Sequence, residues 1–114
     1  MYRYPFAMLI VTGSVEGRPD TVDRILELGL AHVQRSRHEP GCLLHSIHRD
    51  VENELRVVFI EQWVDAEALE AHFRVPASGE FVRKAAALAL GPPEMSIFEA
   101  EVASIQNPSQ RGPI

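Results

Sequence analysis

Apolar positions along the chain follow two periods, about two and about three and a half residues, in the order strand, helix, strand, strand, helix, strand. Residues 7–15 (Ala-Met-Leu-Ile-Val-Thr-Gly-Ser-Val) are almost continuously apolar and predict a strand covered on both faces, with Gly13 marking a bulge or a close approach. Gly17-Arg18-Pro19-Asp20 breaks the pattern, and Pro19 suits the first turn of a helix. Val22, Ile25, Leu26, Gly29 and Val33 then recur at helical spacing, and Pro40-Gly41 ends that helix at about Glu39. Residues 42–49 and 55–63 predict a β-hairpin with a loop of about five residues, 50–54. Asp65 follows as an N-cap, with Val64 placed to staple onto Leu69, for a short helix ending near Phe73. Pro76 opens another helix, with Phe81, Val82, Ala85, Leu88 and Ala89 on one face, and Gly91-Pro92-Pro93 stops it. Residues 95–104 predict the last strand.

The order β-α-β-β-α-β, its second helical region split in two, predicts an α+β fold. With right-handed crossovers it becomes a ferredoxin-like βαββαβ sandwich, an antiparallel four-stranded sheet with helices on one face. The first and third strands are apolar on both sides, so the other face needs a cover. A second copy of the chain, sheet against sheet, is the direct solution, and a homodimer forming a dimeric α/β barrel is expected. Residues 1–105 are expected to form a single domain. Residues 106–114, polar and broken by prolines, are expected to be a flexible tail.

A chain of 114 residues suits one domain with a modest core. The net charge of −5 argues against nucleic acid and against anionic membranes, because phosphate binding draws on a concentrated cationic surface. No apolar run reaches membrane-spanning length, and Met1-Tyr2-Arg3-Tyr4-Pro5 lacks the pattern of a signal peptide. Cys42 is the sole cysteine, which excludes an intrachain disulfide, so a cytoplasmic location is expected. Flanked by Gly41, Leu43 and Leu44, it reads as a small buried hydrophobe rather than a nucleophile. His45 and His48 are three apart on a strand and face opposite sides. His32 and His38, six apart on a helix, are poorly aligned, so no metal site is expected.

Candidate chemistry gathers where the third strand hands over to the next helix. Phe59, Glu61 and the only tryptophan, Trp63, project from one side of the sheet. A carboxylate amid that much aromatic surface must be paired, protonated or solvated in a cavity. His72 shares a helical face with Ala68 and Leu69. A lone histidine on such a face is usually a satisfied core residue, and a strand tryptophan is more often core than catalyst.

Taken together, Ser36-Arg37-His38-Glu39-Pro40-Gly41-Cys42-Leu43, Arg49-Asp50, Phe59-Ile60-Glu61-Gln62-Trp63 and Ala68-Leu69-Glu70-Ala71-His72-Phe73 resemble the antibiotic-biosynthesis-monooxygenase family. These are small dimeric α/β-barrel proteins that include quinol monooxygenases, and the similarity spans about residues 7–104. The resemblance implies oxygenation of a small aromatic, a quinol or polyphenol, by dioxygen in a pocket between sheet and helices. It implies no cofactor: no flavin, haem or metal. Among the residues, it implies His72 as acid/base, Trp63 as a pocket wall or a donor to a substrate oxygen, and Glu61 as a group that orients its neighbours. Phe59, His45, Phe73 and Phe81 are expected to contact the substrate. His45 stands where the family often has tyrosine. Phe59 stands where one branch carries asparagine, which disfavours the polyketide-tailoring version of the reaction. Two alternatives are a haem-degrading relative and a non-catalytic dimer that binds a small aromatic. The haem branch uses a first-strand asparagine, and this strand offers Thr12 and Ser14 instead.

Overall fold

In the first strand, β1 (Met8–Glu16), alternation decides burial: Leu9, Val11 and Val15 are buried, while Ile10 is only half-buried and Thr12 is exposed. The computed structural model describes residues 7–105, and the expected flexible tail, 106–114, lies outside them. The first helix, α1 (Val22–Ser36), is shorter at both ends than its pattern suggests. Pro19 and Asp20 occupy a turn that closes when the Val22 N–H reaches the Arg18 carbonyl at 2.9 Å. Beyond Ser36 the backbone tightens, and the N–H groups of His38 and Glu39 bond the carbonyls of Arg35 and Ser36.

Gly41 then turns the chain with φ +81°, the only positive φ among the described residues. A Cβ there would lie 2.6 Å from the Ala68 Cβ and 2.8 Å from the Val64 Cγ1, so glycine is required both for its dihedral and for its slimness.

β2 (Cys42–Asp50) and β3 (Asn53–Trp63) form the expected hairpin, but its loop has two residues rather than five. Asp50 pairs with Asn53, accepts the Glu52 N–H at 2.8 Å and meets Arg56 at 3.1 Å, so polar side chains carry the pairing into what reads as a loop. Gly13 marks no bulge: β1 and β3 stay in register from Leu9↔Trp63 to Glu16↔Arg56, and the irregularities fall in the pairing of β2 with β3 instead. Nor is it a close approach, since a Cβ would find its nearest neighbour at an ordinary 3.5 Å.

Asp65 caps α2 (Ala66–Arg74) as expected, accepting the Ala68 N–H at 2.9 Å. Pro76 opens α3 (Pro76–Leu88). The last strand, β4 (Glu94–Ala100), stops short of residue 104, because its β1 partners run out at Met8↔Ala100.

The sheet order is β2-β3-β1-β4 with antiparallel neighbours throughout, and the helices pack on one face; this is the ferredoxin-like α+β fold. One core cluster joins Val15, Val22, Ile25, Val33, Val57 and Phe59; the other joins Leu9, Val11, Trp63 and Leu69. At Gly29 a Cβ would come within 2.5 Å of Ile47 and 3.0 Å of Phe59, so the missing side chain lets α1 lie down on the sheet. By register, Leu44, Ile10, Ile60 and Phe98 share the opposite face. There Ile60 and Phe98 are 37% and 51% exposed. No helix among the described residues is long and apolar enough to cross a membrane.

Candidate active site

A cavity of about 380 Å³ lies between the helix-covered face of the sheet and α3. That is within the range of small-ligand pockets, roughly 300–1,000 Å³. Phe59 from β3 and Phe81 from α3 line it, their rings 5.7 Å apart and steeply inclined. Phe81 also stacks on His32 of α1 at 4.4 Å. Val82 and Ala85 extend the apolar wall, and Phe73 lines the cavity with nearly half of its surface exposed. The polar end consists of His32, Glu61 and His72.

His72 is 3% exposed and aligned from behind: its Nδ1 lies 2.9 Å from Glu39 Oε1. A carboxylate accepts, so Nδ1 carries the proton and donates it, and the Nε2 lone pair is left toward Glu61, whose Oε1 is 4.0 Å away. Glu39 reaches this position because the turns after α1 deliver it beside α2. Sequence reading names Glu39 as the end of the first helix and within the family motif but gives it no chemical role, although a carboxylate two residues before an obligatory glycine turn is visible there.

Glu61 is 6% exposed and accepts the Trp63 indole N–H at 2.8 Å. The three options left open for this carboxylate thus resolve into pairing within a cavity wall. Burial pushes its pKa above the usual carboxylate range; the Trp63 hydrogen bond and the neighbouring His72 pull it back down, and Glu39 adds to the rise. Trp63 differs from its expected placement. It is fully buried behind the cavity, packs with Leu9, Val11 and Leu69, and has already committed its N–H to Glu61. Wall and substrate donor are therefore not the positions it holds.

His45 likewise sits behind the lining, 2% exposed, its ring nearly perpendicular to that of Trp63 at 6.2 Å. Neither of its ring nitrogens has a hydrogen-bonding partner, although Nε2 approaches Glu61 Oε1 to 3.4 Å. Burial first, then electrostatic repulsion from His72, Arg37 and Arg35, lower its pKa to about 4. His32, whose Nδ1 accepts from Arg35 at 2.7 Å, is lowered to about 3, again chiefly by burial and then by His45, His72 and Arg35. Both rings are neutral at pH 7.

The two histidine pairs weighed from spacing do diverge, since His38 and His48 are exposed. Spacing within one element does not show that His32, His45 and His72 converge from α1, β2 and α2, with one ring nitrogen of each inside a mutual 4.8 Å. Chemically, the arrangement offers an apolar slot for a flat ring, a directed imidazole lone pair at its end, and a buried carboxylate next to it.

The profile of the antibiotic biosynthesis monooxygenase family matches residues 8–84. An uncharacterised protein of Synechocystis, sll1783, is 32% identical over 91 residues; these are 80% of this chain, and the chain spans 62% of that relative's length. A crystal structure of an antibiotic biosynthesis monooxygenase superposes with TM-score 0.76 at 26% identity, covering 82% of this chain and 99% of the other. The crystal structure of PA3566 from Pseudomonas aeruginosa gives TM-score 0.77 at 25% identity, covering 88% and 100%.

Proposed function

The chain belongs to the antibiotic biosynthesis monooxygenase family, and from that premise we propose that it oxidises a quinol-like or polyphenolic aromatic with dioxygen. The observation that carries this reading is the Glu39–His72 pair, whose free nitrogen faces the polar end of a cavity walled by Phe59 and Phe81. The aromatic ring packs against those phenyl groups. His72 Nε2 takes the phenolic proton, with its imidazolium stabilised by the Glu39 carboxylate. The anion passes one electron to dioxygen, and the radical pair recombines into a peroxide on a ring carbon that bears hydrogen. Loss of water leaves a carbonyl, so the substrate sheds two hydrogens and keeps one oxygen atom while the other departs as water. The apolar walls keep bulk water from the anion and the peroxide.

In this reading Trp63 acts at one remove, by holding Glu61, and His45 stands behind it. Two chains assemble through the face that carries Leu44, Ile10, Ile60 and Phe98, since that much apolar surface on one sheet face calls for a cover. The test is oxygen uptake by purified protein, without added cofactor, against hydroquinones, naphthoquinols and anthrones, corrected for autoxidation. Uptake that depends on the protein and falls by about 10²–10⁴ in His72→Ala supports the reading. Substrate binding with no uptake, equal in both proteins, overturns it in favour of a non-catalytic binder.

A further inference from the structure

The three buried imidazoles form a nearly equilateral triangle. Their ring centroids stand 5.2 Å (His32–His45), 5.3 Å (His32–His72) and 5.4 Å (His45–His72) apart. Three imidazoles bound to one tetrahedral ion at about 2.0–2.1 Å place their centroids roughly 5 Å apart and their ligating nitrogens roughly 3.4 Å apart. The rings already have that spacing. One ring nitrogen of each lies within 4.8 Å of the others, so the three need only draw closer to meet an ion.

A separate observation concerns His45. With its side chain fully buried and neither nitrogen partnered, it is a desolvated polar group with an unmet requirement. Its Nε2 lies 3.4 Å from the same carboxylate oxygen that lies 4.0 Å from His72 Nε2. That oxygen, Glu61 Oε1, supplies negative charge beside the triangle. His72 is held through its other nitrogen by Glu39, the support that a ligating histidine ordinarily has.

We propose that His32, His45 and His72, with the Glu61 carboxylate beside them, bind one divalent first-row transition ion of the zinc type. Imidazole-rich sites favour such ions over magnesium or calcium. Arg35 opposes uptake: its NH2 donates to His32 Nδ1 at 2.7 Å, so the ion-free ring carries its proton on Nε2 and must shed that proton or the guanidinium. At His72 the ion and the phenolic proton compete for one lone pair, so a loaded site silences the base of the proposed oxygenation. Binding itself does not depend on that reaction.

The experiment titrates chelator-treated protein with Co²⁺ and follows the visible absorption of the bound ion, then displaces it with Zn²⁺. One intense, tetrahedral-type Co²⁺ spectrum per chain is expected, lost in His45→Ala and kept in His38→Ala. Glu39→Gln should weaken binding by about 10–100-fold through the freed His72 ring. Absence of a stoichiometric spectrum, or its survival in His45→Ala, overturns the proposal. Should His45→Ala fail to fold, ring-nitrogen NMR of the unaltered protein decides instead. Zn²⁺ must then shift the resonances of His32, His45 and His72; shifts confined to His38 and His48 overturn it. Turnover enters none of these readouts, so a failed oxygenase assay and a failed metal titration remain distinct results.

Discussion

Trp63 and Glu61, two residues apart on β3, are joined by an indole N–H that donates to a buried carboxylate at 2.8 Å. The bond ties the largest core side chain to the only acid in the cavity lining that lies on the buried side of the sheet. Trp63→Phe keeps most of the apolar volume and removes the donor. A loss of about 1–3 kcal/mol in urea unfolding is expected, the usual penalty for leaving a buried polar group unmatched. The Trp63 bond holds the Glu61 pKa down, so the loss should be greater at alkaline than at acid pH. Equal losses at both would show that the bond does not act on the charged carboxylate.

Glu39 supports His72 at 2.9 Å and is not itself part of the cavity lining. Glu39→Gln exchanges an acceptor-only group for an amide that can also donate, and so loosens the tautomer of His72. Turnover should fall, though by less than the 10²–10⁴-fold expected for losing the acid/base itself. KM should change little, which steady-state oxygen uptake resolves from kcat.

Acid should destabilise the metal-free protein early. His32 and His45 titrate at about 3 and 4 in the folded chain against 6.5 unfolded, so the unfolded state binds more protons between those limits. Their contribution is complete above 6.5 and is lost as pH falls toward the folded values. Glu61, raised above 4.5, works in the opposite direction and offsets part of this. Urea midpoints measured in chelator should therefore fall from neutral pH to about pH 5, and His45→Asn should flatten the slope.

Phe98 lies beside Ile10 in the sheet register and is half exposed on the face without helices. Phe98→Glu places a charge in the proposed contact between copies. Light scattering should give twice the chain mass for the unaltered protein and the single-chain mass for the variant. A variant that remains a dimer would move the interface elsewhere.

The fold was largely legible because period and punctuation carry it: Asp65, Pro76 and the Gly91-Pro92-Pro93 stop act locally. The hairpin loop is shorter than its sequence suggests because Asp50 and Asn53, turn-type residues by composition, pair with each other. The site was legible by face and not by depth. Period-two alternation puts Phe59, Glu61 and Trp63 on one side, but only the packing of Leu9, Val11 and Leu69 around Trp63, with the His72 ring 4.6 Å from it, buries the indole. The histidine triangle could not be read at all. It takes one residue from each of three elements, and no spacing along a single element encodes where faces of different elements meet.

Gly41 acts as a gauge for the chemistry next to it. Its left-handed turn comes two residues after Glu39, and its bare Cα is what Ala68 of α2 rests against, one turn before His72. The bare backbone of Gly41 against the small side chain of Ala68 thus sets how far the acid stands from the imidazole, and the outer faces of both helices can drift in sequence without altering that distance. A single methyl group added at position 41 would detune the pair while leaving every reactive atom in the protein unchanged.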